Sequence, residues 1–286
     1  EEQAAPGSGF LLPDAFTNPE HVQFALKGTA AAMFCYVLYS LLDWPGIHTC
    51  FITCFIVSLT TTAETVEKLT LRILGCLIGA AAGTAAIVFL LPSLTSVEAL
   101  LTTVFVGGLV SAWVVAGSPR ISYAGFQIAF AFFLCVIQGA SPAFDLTIAR
   151  DRIIGILVGN LVMYLVFTRL WPVSVAARVD AALTGLLDRL STAIRTPDSN
   201  ARHALAVETE ATLGAIERDL DLVGYEPATV RPAGSWVQAR RHSVAEISEL
   251  QTSLLLMPAD DAATSRGVTR TLDRLRGEIG MTSDAT

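Results

Sequence analysis

Apolar runs fill residues 24–170, interrupted by Trp44-Pro45-Gly46, Pro92, Gly117-Ser118-Pro119, Pro142 and Trp171-Pro172; beyond them the pattern changes to narrow apolar stripes on polar helices. A bilayer takes about 20 helical residues to cross. Six stretches are expected to do so: Phe24–Leu42, Ile47–Thr62, Leu71–Leu91, Val97–Val115, Ile121–Ile137 and Ile153–Leu170. Tyr39, Trp44, Trp113, Tyr123 and Trp171 fall near their ends, where amphipathic rings favour the interface. The stripes of the tail read as four helices: Val179, Leu183, Leu186, Leu187, Leu190 and Ile194; then Leu213, Ile216, Leu220 and Val223; then Val237, Val244, Ile247 and Leu254; then Val268, Leu272, Leu275 and Ile279. Pro197, Pro227, Pro232 and Pro258 separate them. The predicted fold class is all-α. A polar linker (1–22) leads into a polytopic membrane domain of six transmembrane helices (23–172), and a cytoplasmic helical domain (173–286) follows.

An eight-residue pattern occurs twice, as Arg72-Ile-Leu-Gly75-Cys-Leu-Ile-Gly79 and as Arg152-Ile-Ile-Gly155-Ile-Leu-Val-Gly159. Each copy puts an arginine at an expected membrane edge and glycines four apart, with Gly83 extending the first series. Glycines at i, i+4 let a neighbouring helix approach closely. Loop charges give an orientation. With both termini cytoplasmic, Lys27, Lys68, Arg72, Arg120, Arg169 and Arg178 lie inside, and only Arg150 and Arg152 lie outside, flanking Asp151. The third and sixth spans then run in opposite directions, as an inverted repeat of three plus three requires.

Composition agrees with a lipid setting: 52% of the 286 residues are hydrophobic and 16% charged, with a mean hydropathy of +0.55. A soluble domain carries about 25% charged residues. Residues 173–286 hold 12 Arg and 16 acids, so the tail contributes −4 of the net −7, and nucleic acid is not an expected partner. All five cysteines lie in apolar runs, where they behave as small hydrophobes. Cys50 and Cys54 near His48 sketch a soft-metal site, but a fourth ligand is lacking, and no metal or cofactor is expected. No Walker-type loop, HExxH or GxSxG occurs, so an enzyme is not expected.

Polar groups within or beside the spans are the candidates for function. Lys27, Arg72, Arg152, Gln127 and Asn160 are candidates for a substrate or ion path, because a charge or amide in lipid is retained only with partners or water. Snorkelling, anchoring and interhelical hydrogen bonding are the plain alternatives for them. Asp43, His48, Asp145 and Asp151 are candidates for proton coupling, with His48 the one histidine inside an expected span. Gly75, Gly79, Gly83, Gly155 and Gly159 are helix-packing positions. Thr60-Thr61-Thr62 ahead of Glu64 either lines a vestibule or caps a helix.

Several strings resemble the fusaric acid resistance family: Asp14-Ala-Phe-Thr-Asn-Pro19 before Phe24-Ala-Leu-Lys27, Asp43-Trp-Pro-Gly-Ile-His-Thr-Cys50, Glu64-Thr-Val-Glu-Lys-Leu-Thr-Leu-Arg72, Gly117-Ser-Pro-Arg-Ile-Ser-Tyr-Ala-Gly125 and Asp151-Arg-Ile-Ile-Gly155. The resemblance runs from about residue 10 to 175. It implies an inner-membrane efflux transporter or subunit of Gram-negative bacteria, exporting small aromatic or amphiphilic compounds and drugs. In one multidrug branch it also implies a periplasmic membrane-fusion protein and an outer-membrane channel as partners. Typical members carry two six-span bundles, so a second bundle is an expected partner of this one, supplied by an N-terminal half or by another copy. Without an ATPase motif the proton gradient is the expected energy source. Two other readings stay open: an anion channel-like permease, as in the similar plant aluminium-activated malate transporters, and a structural half that transports nothing without its partner bundle.

Overall fold

The computed structural model describes residues 19–94, 96–137, 145–195, 199–256 and 262–283. Residues 1–18 of the expected linker, Pro142, Pro197, Pro258 and the side chain of Leu254 lie outside the described residues. Among the described residues all regular structure is helical: α1 (Pro19–Leu41), α2 (Thr49–Val57), α3 (Thr62–Ala85), α4 (Val97–Gly117), α5 (Ser122–Val136), α6 (Thr147–Arg169), α7 (Val175–Arg195), α8 (Ser199–Leu222), α9 (Gly234–Leu256) and α10 (Ala262–Ser283). The chain divides into two compact units, Glu1–Thr60 with Thr65–Pro172, and Thr61–Glu64 with Val173–Thr286.

Four helical segments are long and apolar enough to cross a membrane: Pro19–Leu41, Thr62–Ser93, Val97–Gly117 and Thr147–Arg169. The second and fifth expected spans are shorter. Pro45–Val57 opens with a 3₁₀ turn (Pro45–Ile47), which leaves nine residues of α-helix, and Ser122–Val136 has 15 residues. Proline and glycine at 45 and 46 delay the start of α2, and extended backbone at Ser58 ends it.

Local chemistry sets the ends. α3 begins nine residues before its apolar run, because Thr61 and Glu64 close a capping box. The Thr61 hydroxyl accepts from Glu64 N (3.3 Å), and the Glu64 carboxylate accepts from Thr61 N (3.2 Å). This favours the capping alternative for Thr61. Ser96 caps α4 by accepting from Ala99 N. The far end of α3 runs through a π turn (Ala86–Leu90) into a 3₁₀ turn at Leu91–Ser93, where Pro92 cannot continue the helix.

In the first unit α3 and α6 run in opposite senses. Asn160 meets Leu69 at one level, Ile156 packs with Cys76 at the next, and Ile153 lies against the cluster containing Ala80. Their glycines receive different neighbours. A Cβ at Gly75 would lie 2.5 Å from the Ala124 carbonyl oxygen, and Gly79 and Gly83 also face α5. A Cβ at Gly159 would lie 2.8 Å from Cys50 O, and Gly155 faces Ile47 and Thr49. Each glycine-bearing helix therefore abuts one of the two short helices, backbone against backbone.

The second unit is built on the stripes. Val179, Leu183, Leu187, Ile216, Leu220, Ile247, Leu272 and Leu275 share one buried core, with Val237 and Ile194 at its margin. Polar groups finish it. Arg240 is buried in the bundle, donates to Asp180 (2.6 Å) and Ile279 O (3.2 Å), and lies over the Trp236 ring. Arg178 donates to both Asp219 (2.6 Å) and Glu64 (2.9 Å). Burial opposes the charge of Arg178, but those two carboxylates outweigh it and hold its pKa above the ordinary value. Glu226 is fully buried. Its carboxylate accepts from Val175 N (2.6 Å) and Ser174 Oγ (2.9 Å), satisfying donors at the start of α7. Burial nevertheless pushes its pKa up, against the bonds from Val175 and Ser174 and the nearby Arg231.

Candidate functional site

Four helices of the first unit, α2, α3, α5 and α6, place polar groups around Arg72. Arg72 lies ten residues into α3, about 15 Å along its axis, and is only 1% exposed. One guanidinium nitrogen donates to Thr53 Oγ1 on α2 (3.1 Å) and the other to Tyr123 Oη on α5 (3.2 Å). Nε is buried without a partner. Among the described residues no carboxylate pairs with this guanidinium, whose transfer from water costs several kcal/mol.

The surroundings are polar on every flanking helix. Thr53 donates onward to Thr49 O (2.7 Å), while the buried Thr49 hydroxyl has no partner. Lys68 Nζ lies 5.1 Å from the centre of the Tyr123 ring whose hydroxyl Arg72 uses. Gln127 is 1% exposed, under Gly75. Asn160 donates from Nδ2 to Leu69 O (3.3 Å), its Oδ1 buried and unpartnered. Arg152 is half-buried at the sixth position of α6, over the Phe130 ring at 6.0 Å, again with Nε unpartnered. Cys76, one turn beyond Arg72 on α3, packs with Ile156, one turn beyond Arg152 on α6, so the two arginines approach one level from opposite ends. The arrangement suits an anion or a polar ligand: it offers donors, two positive charges and orphan polar atoms within apolar walls.

The other expected site residues lie elsewhere. Lys27 is buried near the end of the unit, donating to Trp171 O (3.0 Å), with the Phe167 ring 5.1 Å away. Trp171 presents that carbonyl from a left-handed backbone (φ 42°). Asp43 is exposed, also at positive φ (47°), just past the end of α1. His48, within the apolar segment Pro45–Val57, is exposed between the 3₁₀ turn and α2, its Nδ1 2.8 Å from Pro45 O. Asp145 is exposed and accepts from Thr147 N and Oγ1, which lower its pKa. Asp151 accepts from Trp44 Nε1 (3.0 Å) and pairs with Arg150 (2.9 Å). Cys50 and Cys54 meet Cys35 of α1, with Sγ of Cys35 and Cys54 3.6 Å apart, inside an apolar cluster. Among the described residues no group of three His, Cys, Asp or Glu has metal-holding geometry. Thr53 and Tyr123, the direct partners of Arg72, are functional candidates that sequence reasoning missed. The signal that existed for Thr53 was the pair Thr49 and Thr53, four apart within an otherwise apolar run.

Comparison with known proteins bears on the same residues. Positions 32–166 match the family described as fusaric acid resistance protein-like. Over 205 residues, 71% of the chain, the sequence is 34% identical to the multidrug resistance protein MdtO of Shigella flexneri and 35% identical to that of Escherichia coli K12. The alignment covers 30% of each, so the chain spans less than a third of the length of these relatives. Through residues 32–166, which carry Arg72, Thr53 and Tyr123, the chain belongs to the fusaric acid resistance protein-like family.

Proposed function

We propose that this chain is a component of an inner-membrane efflux transporter, moving small aromatic or amphiphilic compounds, including anionic ones, at the expense of the proton-motive force. The observation that carries the reading is Arg72: a buried guanidinium, held by neutral hydroxyls and with no acid paired to it among the described residues, inside a chain similar to a multidrug resistance protein. A fixed charge in such a place is costly unless a ligand uses it.

In this reading all six apolar segments thread the bilayer as two inverted triplets, α1–α3 and α4–α6, with both termini cytoplasmic. Support comes from the antiparallel α3 and α6, and from the reciprocal seating of their glycines on α5 and α2. The short helices fall second in each triplet, and interrupted segments at matching positions of two repeats point to the transport site. The relatives are more than three times as long as the matched segment. A second bundle, a periplasmic membrane-fusion protein and an outer-membrane channel complete the assembly we propose, and the tail beyond Val173 lies on the cytoplasmic side.

The test is export from an efflux-deficient bacterium expressing the chain. Wild type is expected to lower cellular accumulation of fusaric acid and raise tolerance to it; Arg72→Gln, inserted at equal level, is expected to do neither. A wild-type chain that reaches the membrane and changes neither quantity rules the reading out for this chain.

A further inference from the structure

The charges of the first unit are segregated by depth. Between residues 19 and 172 the sequence has seven acids. Glu20, Asp43, Glu98 and Asp145 are exposed. Glu64 is engaged in the second unit with Arg178. Glu67 and Asp151 lie within the first six residues of α3 and α6, where Asp151 is held by Trp44 and Arg150. No acid occurs farther into any of the six apolar segments.

Two cations go deeper, Lys27 eight residues into α1 and Arg72 ten residues into α3, whereas Lys68 and Arg152 each directly follow an acid, Glu67 and Asp151. Lys68 and Arg72 are one turn apart on α3 and share Tyr123, through its ring and its hydroxyl. Arg152 stands at the level of Ala80, about 12 Å farther along α3 at about 1.5 Å per residue, with the packed pair Cys76 and Ile156 at the level between the two arginines. These three groups step through the bundle as a one-sign series, and both guanidinium Nε atoms are buried without a partner.

We infer that a monoanion crosses by passing from Lys68 to Arg72 to Arg152 and carries its negative charge alone, so that the electrical part of the proton-motive force drives export. This deepens the proposed function and rests on it. A proton-antiport cycle needs a group on the path that binds the proton when the substrate leaves; two of its three cations are arginines, which do not release protons at physiological pH, and the buried Lys27 is held elsewhere, by Trp171 O. A membrane potential negative inside repels an anion outward, and 100 mV sustains about a fifty-fold concentration ratio for one elementary charge. Arg72 lowers the barrier for that charge, and Tyr123 and Thr53 hold the guanidinium when the site is empty.

The experiment uses the full chain in proteoliposomes, with radiolabelled benzoate as the probe. Potassium gradients with valinomycin impose a potential at equal pH on both sides; a pH difference is imposed separately with the potential clamped at zero. Saturable benzoate flux is expected to follow the potential, to be accompanied by a current of negative charge on a solid-supported membrane, and to persist without a pH difference. Lys68→Gln, at a half-buried position that tolerates the change, is expected to lower the flux several-fold. Arg72→Gln should abolish the current, and Arg72→Lys should restore part of it. Flux that requires the pH difference, or that passes without current, overturns the inference and leaves the transport reading standing. No protein-dependent flux under either gradient overturns both.

Discussion

Replacing Arg72 by Met should make the protein more stable while removing its transport. Both side chains have a long apolar stem, so the packing against α2 and α5 is largely kept. The two bonds from the guanidinium to neutral hydroxyls contribute about 3–6 kcal/mol together. Taking the charge out of water costs several kcal/mol, and no carboxylate offsets it among the described residues. The two quantities nearly cancel, and the thioether adds apolar burial in place of the orphaned Nε. Thr53 keeps its bond to Thr49 O, so the substitution strands little besides the Tyr123 hydroxyl. The balance favours Arg72→Met by about 1–2 kcal/mol, a rise in unfolding midpoint of roughly 2–8 °C for a domain of this size. Thermal unfolding in detergent, followed by tryptophan fluorescence, measures it alongside benzoate flux in liposomes. A loss of about 3–5 kcal/mol, the usual outcome when a keystone of a buried polar network is removed, would refute the argument and make Arg72 structural.

Gly159→Ala and Gly28→Ala should move stability in opposite directions. The first drives a methyl onto Cys50 and Thr53 and should cost about 1–3 kcal/mol; the second meets nothing within 4 Å and should gain about 0.5–1 kcal/mol from helix propensity. Unfolding midpoints that fall together would contradict the close approach of α6 to α2. Glu226→Gln should flatten the pH dependence of the second unit. Burial raises the folded pKa of this acid, so its contribution is complete below the ordinary Glu value of about 4.3 and is lost as pH rises through the raised one. Wild-type stability should therefore fall relative to Glu226→Gln over that interval, and parallel curves would show that the carboxyl does not titrate there. Trp44→Phe removes the indole N–H from Asp151 and should cost about 1 kcal/mol, measurable in the same unfolding assay, with no change if Arg150 alone holds the carboxylate.

The helical stripes of the tail were legible because their period is local: Leu183, Leu187 and Leu275 need only their own helices to declare a face. The glycine series was legible for the same reason, although which helix each would meet was not. The depth of Arg72 was hidden by two things. The acids and lysine at 64–68 shortened the apolar run, so α3 looked as if it began at the arginine, whereas the Thr61–Glu64 box starts it nine residues earlier. Its partners lie 19 and 51 residues away, and no periodicity connects positions on different helices. Pro45 and Gly46 open the second segment as a 3₁₀ turn, so His48 stands at the junction with α2, a detail that the apolar run does not carry.

Every native thiol of the chain is packed away: Cys35, Cys50 and Cys54 at 0%, Cys135 at 1% and Cys76 at 4% exposure. A maleimide that stays in water therefore finds little to modify in the folded wild type. A single reporter substituted at an exposed position between the apolar segments, such as Arg120 or Asp145, stands out against that silent background without prior removal of the natural residues. The greasy use of cysteine thus leaves the molecule ready for spin labels and fluorophores placed one at a time, which is how its movements can be timed.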